Sequence, residues 1–154
     1  MYYSLYKDIK NRIAEEFGIK IDPDTGIVVP QEGSAIMDIQ WFNNQYTGVI
    51  HMAPVIFIEF SPLDISPATK QTNSTDISIR LHVVTEVMDE SDGDVRDGDV
   101  LNHEELAKGV LQAVEDWRFD FNGHDTRPLR AAGWEHHHRY NGFMVTLIGL
   151  KTKG

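Results

Sequence analysis

The chain has 154 residues, which is close to the commonest size of a single domain and is long enough to form one hydrophobic core. It contains no cysteine, and this excludes a disulfide framework, a thiolate zinc site and a thiol nucleophile. Its longest apolar run, Phe143 to Leu150, is too short to cross a bilayer, and its N-terminus lacks an apolar core. These features predict a soluble cytoplasmic protein with no membrane partner.

Charge is distributed unevenly within a net total of -10. Glu86 to Glu105 contains nine carboxylates against Arg96 alone, which gives -8, whereas the chain from Arg118 onward has six basic and three acidic residues, which gives +3. An acidic surface disfavours binding to phosphates, so direct, sequence-specific nucleic-acid binding is not expected. Asp89 to Asp99 is predicted to be a mobile loop, because its crowded carboxylates repel one another.

The chain begins with a helical pattern. Leu5, Ile9, Ile13 and Phe17 recur at four-residue steps with charged residues between them, which predicts an amphipathic helix over 5–17 that ends at Gly18. A turn is predicted next, over 22–26, because its Asp-Pro-Asp-Thr-Gly sequence combines residues that favour turns. A short strand is predicted beyond it, over 27–29.

Three further segments predict strands of the main sheet. Ile36 to Phe42 and Pro54 to Phe60 are rich in β-branched and aromatic residues and are predicted to be neighbours. Because Val55 to Phe60 is apolar on both faces, it is predicted to be an inner strand covered by helices. A polar stretch over 63–75 is predicted to be a second mobile loop. Ile77 to Val84 then alternates between apolar and polar residues, which predicts a half-buried strand.

The second half of the chain predicts a helix and a hairpin. Asn102 to Glu105 resembles a capping box, so a helix is predicted to begin at Asn102 and to end near 118–121. One face of this predicted helix carries Leu106, Val110, Ala113, Val114 and Trp117. Asn141-Gly142 predicts a tight hairpin turn in which Tyr140 pairs with Phe143. Together the elements predict one α+β domain over 1–154, in which two main helices pack on a mixed or antiparallel sheet.

Few residues suggest a chemical site. Asp92 to Asp99 invites comparison with a calcium loop, but the position that requires glycine holds Asp97 and the position that requires glutamate holds His103. His136, His137 and His138 alternate in direction along a strand, so only two of them could meet one metal ion. No phosphate-binding, dinucleotide-binding or serine-nucleophile motif is present in the sequence. We therefore predict no catalytic, metal-binding or cofactor-binding residues and no cofactor.

The aromatic residues have two interpretations. Trp41, Trp117 and Trp134, with the seven phenylalanines, are predicted to fill the core, since exposing them would leave apolar area in water. The alternative is a subunit interface, where aromatic residues are enriched, and Tyr2, Tyr3 and Tyr6, near the beginning of the first helix's core stripe, are the candidates for it.

Three segments carry a resemblance to a known family. Asp38 to Gln45, Pro54 to Phe60 and Ile77 to Val84, together with the order of predicted elements, resemble small prophage-encoded tail-completion or tail-terminator proteins. The resemblance implies a structural protein and not an enzyme: an oligomeric ring at the junction of phage tail and head, with other tail or connector proteins as partners. It implies assembly in the bacterial cytoplasm and a final place in the virion tail. It supplies no catalytic residues.

Other functions stay open at this stage. If the protein forms a ring, carboxylates lining it would let DNA pass without adhering, although an outward-facing acidic loop fits equally well. A connector or baseplate component belongs to the same structural class. The alternative from a different class is a small-ligand-binding protein or an enzyme with a His/carboxylate site drawn from His82, His103, His124 and the cluster at His136. A deep pocket with convergent polar groups would mark it.

Overall fold

The computed structural model describes residues 1–43, 53–63, 75–87, 95–137 and 142–154. Two helices and nine strands lie within these ranges. The elements in chain order are α1 (Tyr3–Glu16), β1 (Lys20–Ile21), β2 (Val28–Val29), β3 (Asp38–Trp41), β4 (Val55–Phe60), β5 (Asp76–Glu86), α2 (Asp97–Val114), β6 (Asp120–Phe121), β7 (His124–Asp125), β8 (Arg130–His137) and β9 (Phe143–Lys153). The predicted α+β class is confirmed.

The main sheet has five strands in the order β3-β4-β5-β9-β8. β3 and β4 are parallel, and every other pair in this sheet is antiparallel, so the sheet is mixed. β5 and β9 pair along their full eleven residues, from Asp76 opposite Lys153 to Glu86 opposite Phe143. β4 is an inner strand, as its apolar sequence predicted, and β3 and β8 form the two edges.

The core lies between the two helices and one face of the sheet, which we call the helix face. α1 contributes Leu5, Ile9 and Ile13, all fully buried, as their four-residue spacing predicted. Alternate strand residues meet them from the sheet, including Ile56 of β4 and Ile148 of β9. Burial of each such side chain stabilises the fold by roughly 1.5–3 kcal/mol, so this layer is the main source of stability.

The opposite face of the sheet, which we call the outer face, holds a second and smaller apolar cluster. Val55, Phe57, Val84, Val145 and Leu147 are buried there, with Phe42 and Phe143 packed against them. The prediction that β4 is covered by helices is therefore right for the helix face only. β5 is half-buried near its start, but towards its end the residues on both faces are buried.

The predicted start of the second helix is wrong. α2 begins at Asp97, and the residue before it, Arg96, makes no side-chain cap, so Asn102 lies inside the helix and does not cap it. Asp97 and Asp99 occupy the first turn, where carboxylates are stabilised by the positive end of the helix dipole. These residues are thus helical and not part of a loop. The predicted mobility of the acidic segment stays a prediction, since 88–94 lie outside the described residues.

The predicted burial of the tryptophans is also wrong. Trp41 and Trp134 are each 44% exposed, and Trp117 is 46% exposed. Trp117 lies beyond the end of α2, because the chain turns at Asp116, whose φ is 66°. Its ring packs instead beneath the Arg12 guanidinium, 3.8 Å from the ring centroid. Aliphatic side chains fill most of the core, and the tryptophans lie at its rim.

Several local predictions concern turns. Gly18 follows α1 with a φ of 65° and Gly26 ends the 22–26 turn with a φ of 72°, values that favour glycine. The short strand predicted after that turn is β2, which pairs with β1. β8 and β9 are antiparallel neighbours, as a hairpin requires. The predicted pairing of Tyr140 with Phe143 and all but the two end residues of the predicted loop over 63–75 lie outside the described residues.

Candidate interaction surface and histidine sites

His103 links α2 to the sheet. Its side chain is buried on the helix face, with Nδ1 2.7 Å from Thr85 Oγ1 and Nε2 2.8 Å from Thr146 Oγ1. The pKa of His103 is lowered overall. Desolvation by burial is the largest cause; the charge of His136 also lowers the pKa, and the Glu104 carboxylate raises it. Because a threonine hydroxyl can both donate and accept, the neutral imidazole is satisfied at both nitrogens. The arrangement joins three elements and leaves neither ring nitrogen available to a substrate.

His82 is buried on the outer face beside a carboxylate. Its Nε2 lies 2.8 Å from Glu59 Oε1, and the Arg80 guanidinium lies 3.7 Å from the same oxygen. The Phe42 ring stacks on the imidazole with centroids 4.0 Å apart. The pKa of His82 is lowered overall, mainly by burial. The hydrogen bond and charge of Glu59 raise this pKa, and the charges of Arg80 and His137 lower it. A Glu-His pair can orient a general base, but here the imidazole is buried beneath Phe42.

The histidines proposed for a dispersed site are not brought together. His82 and His103 lie on opposite faces of the sheet, and His124 is exposed on β7. In β8, His136 and His137 point to opposite faces, as predicted, and His138 lies outside the described residues. Within the described ranges, no group of three or more His, Cys, Asp or Glu side chains is arranged to hold a metal ion.

A cleft of about 510 Å³ opens beside His103. It lies between the start of α2 and the end of β5, and its apolar lining includes Phe17, Pro54 and Leu106. The charged side chains that line it are acidic, among them Glu86 and Asp99. An acidic lining disfavours phosphate and carboxylate ligands, and His103 already has both of its hydrogen-bond partners. The cleft therefore does not supply the His/carboxylate site of the enzyme alternative, because the imidazole that lines it is already bonded to two threonines.

An aromatic patch lies where the start of α1 meets the sheet edge at β3. The Tyr2 ring stacks on Phe60 at 4.4 Å, and Trp41 lies 5.2 Å from Phe60 and 5.4 Å from Tyr6, measured between ring centroids. Tyr2 and Tyr6 thus pack within the subunit. Tyr3 is 69% exposed, with the Lys7 ammonium 5.5 Å from its ring centroid. Of the three tyrosines, Tyr3 is the one that keeps most of its surface for a neighbour.

The other sheet edge is unusually open. β8 has eight residues, and those from Arg130 to His136 are exposed on both faces. Its ladder partner among the described residues is β9 alone. A β-bulge lies between Ala131 and Gly133, where the chain passes close over Gly149: a Cβ on Gly149 would lie 3.3 Å from the Gly133 nitrogen. The glycine allows β8 to follow β9 past the bulge. Exposed strand edges are templates for pairing with another chain.

Comparison with known proteins finds similarity in fold and not in sequence. No family model matches the chain, and no curated protein matches it. Its fold is similar to a chain from the virion of a native gene transfer agent (GTA) particle, with a TM-score of 0.53. The match covers 97% of this chain and 93% of that chain at 9% sequence identity. At this identity the similarity concerns the fold alone. Separately, neither helix in the described ranges is long and apolar enough to span a membrane.

Sequence reasoning missed the link between His103 and its two threonines. Thr85 and Thr146 come from strands far apart in the chain, and the register of β5 against β9 places them diagonally on the same face, with Thr146 opposite Val83 and Thr85 opposite Met144. One signal was available in the sequence. Each threonine stands at a strand position that faces the core, because the residues two places away along the strand are apolar. A buried polar residue needs a hydrogen-bond partner, so these positions point to a third group.

Proposed function

We propose that this protein is a structural component of a phage-like particle, specifically a tail-completion or tail-terminator subunit that forms a ring where tail and head join. The observation that carries the proposal is the fold similarity to a chain of a gene transfer agent virion along nearly the whole of both chains. The resemblance of three sequence segments to tail-completion proteins supports the same class.

The surface of the subunit suits assembly better than chemistry. Trp41, Trp117 and Trp134 are all substantially exposed, and Tyr3 projects from the first turn of α1. Tryptophan and tyrosine contribute strongly where protein surfaces meet, because they bury large areas at low cost in conformational entropy. The histidines, by contrast, are held in buried structural contacts or are spread over different faces. Other tail or connector proteins and further copies of the chain are the partners that such a surface fits.

The acidic segment has a role in this proposal. Asp97, Glu104 and Glu105 are exposed at the start of α2, close in sequence to the carboxylates of 88–94. Facing the opening of a ring, such a surface would repel DNA phosphates and let the duplex pass without adhering. Assembly would take place in the bacterial cytoplasm, and the finished subunit would lie in the virion tail.

Negative-stain electron microscopy of the concentrated protein tests the proposal. We expect closed rings of uniform diameter with a central opening. Adding purified tail tubes should place those rings at one end of each tube. A field of separate small particles at every concentration, with no density added to tube ends, would contradict the proposal.

A further inference from the structure

β8 lacks most of the features by which proteins protect an exposed strand edge. Natural edges are usually very short, or carry lysine or proline, or are covered by other elements. β8 is eight residues long, contains neither lysine nor proline, and is exposed on both faces from Arg130 to His136. Its bulge and its two charged residues, Arg130 and Glu135, are the protecting features that it has within the part of the chain that the structure describes. No other described strand pairs with this edge, so among the described residues it is open to a strand from another molecule.

The sequence of β8 is complementary to itself when it runs antiparallel to a second copy. If the two Gly133 residues face each other and the bulge residue Ala132 is left unpaired, Ala131 lies opposite Trp134. Arg130 then lies opposite Glu135. A small residue thus meets the largest one, and a cation meets an anion, twice in each contact.

The directions of these side chains agree with that register. In the ladder with β9, Ala131 pairs with Leu150 and Trp134 with Ile148, two core residues of the helix face. Arg130 pairs with Lys151, two residues beyond the outer-face position Gly149, so it points to the outer face. Glu135 pairs with Leu147, which belongs to the outer-face cluster, and so points the same way. Residues opposite each other in an antiparallel ladder must share a face, and the bulge is what makes both pairs do so.

We propose that two copies of this chain associate through β8, edge to edge about a two-fold axis, so that the main sheet continues from one subunit into the other. Two-fold contacts are the commonest in homo-oligomers, and each surface patch then meets its own copy. This contact differs from the head-to-tail contact that closes a ring, and it does not depend on the proposed function.

The existing contacts of β8 permit this pairing. Arg130 already meets Asp116 within the subunit, but both side chains are well exposed and such an ion pair contributes little. A guanidinium has five donors, so Arg130 can serve Glu135 of a second copy as well. One strand pair buries a small area compared with the roughly 1,600 Å² of stable interfaces, so we expect weak, concentration-dependent dimers.

Cysteine cross-linking tests the register directly, because the chain has no cysteine of its own. Directly opposite Cα atoms in an antiparallel ladder are about 4.5–5.5 Å apart, within the range a disulfide can span. A side chain at Gly133 would meet nothing within 4 Å in the subunit, so Gly133→Cys should fold normally. Mild oxidation should convert this variant to a covalent dimer. Gly98→Cys on α2, where a side chain also meets nothing within 4 Å, is the matched control and should not form the dimer at the same concentration.

Charge reversal tests the pairing without cysteine. Arg130→Glu alone or Glu135→Arg alone places like charges opposite each other twice, and sedimentation velocity should show dimerisation weakened about tenfold or more. The double variant should restore it. Lys108→Glu and Glu15→Arg make the same changes in charge on exposed helix positions and should leave dimerisation unchanged. Trp134→Lys should abolish it, since lysine is a natural edge protector.

The outcomes separate this inference from the proposed function. A Gly133→Cys variant that stays monomeric, or a double charge variant that fails to restore dimers, would overturn the inference whether or not rings form. A Trp134→Lys variant that dimerises as well as the wild type would also overturn it. Dimers without rings in the wild type would support the edge contact and count against the proposed function.

Discussion

β8 and β9 are paired neighbours with opposite environments. β9 is a central strand, and Val145, Ile148 and Leu150 are buried within it. β8 leaves seven successive residues exposed although it follows β9 along nearly its whole length. The comparison shows that pairing in this sheet does not imply burial: β9 belongs to the core that stabilises the fold, whereas β8 is held by its backbone and presents its side chains outward.

The largest expected effect is a loss of stability on substitution in the core. One pair of residues in the β8–β9 ladder allows a core position and an edge position to be compared. Ile148 and Trp134 lie opposite each other in the ladder, one fully buried and the other nearly half exposed. Ile148→Ala should lower the free energy of unfolding by about 2–5 kcal/mol, since it leaves a cavity. Trp134→Ala should lower it by less, since the ring is nearly half exposed and its removal leaves an open groove and not an enclosed cavity. Urea unfolding of both variants measures the difference, and equal losses would contradict the contrast between the two strands.

The next effect concerns the polar link between α2 and the sheet. Thr146→Val keeps the shape of the side chain but removes the hydroxyl that lies 2.8 Å from His103 Nε2. A buried nitrogen without a partner costs about 1–3 kcal/mol, so this variant should unfold at lower urea concentration. Thr152→Val, at another buried threonine of β9, is a comparison in which the hydroxyl bonds the Arg127 carbonyl and not a histidine. Only Thr146→Val should alter the titration of His103 in NMR spectra.

A smaller effect is expected where β8 and β9 approach each other most closely. Gly149→Ala places a Cβ 3.3 Å from the Gly133 nitrogen, so β8 must shift slightly and stability should fall by about 1 kcal/mol. Gly133→Ala, on the opposite side of the same pair, meets nothing within 4 Å and should be close to neutral. Thermal unfolding of the two variants measures the difference. If Gly133→Ala lowered the melting temperature more than Gly149→Ala, the close approach at the bulge would be contradicted.

The smallest effect is a loss of stability on mild acidification. The pKa values of His82 and His103 are both lowered from the ordinary value of 6.5, mainly by desolvation, so the unfolded chain binds protons more readily than the folded one. Stability is therefore complete above pH 6.5 and declines as the pH falls from there towards the lowered folded pKa values. Melting temperatures measured across this interval should fall, and His103→Gln should reduce the slope. A melting temperature that rises on acidification would contradict the burial of both neutral imidazoles.

The parts of the fold that sequence predicted are those in which burial follows a simple period. The four-residue steps of Leu5, Ile9 and Ile13 located α1, and the continuous apolar run from Val55 located the inner strand β4. The start of α2 was missed because carboxylates favour both a solvated loop and the first turn of a helix, and the local sequence does not decide between them.

The remaining features depend on contacts between distant segments. Exposure of Trp134 follows from the position of β8 at the sheet edge, and the link from Thr85 to His103 follows from the register of three elements. Tryptophan was predicted to lie in the core because its side chain has a large apolar area. That area does not show whether the strand carrying the residue lies at the edge of a sheet. Neither the edge nor the link leaves a periodic signal within its own segment.

The central claim is that copies of this chain assemble with one another, and light scattering tests it most directly. The mass of the intact wild-type chain should be measured at several concentrations, with Trp134→Lys measured in parallel. The account predicts a mass that rises with concentration from the 17.5 kDa of one chain to multiples of it. A mass of 17.5 kDa at every concentration would contradict the claim.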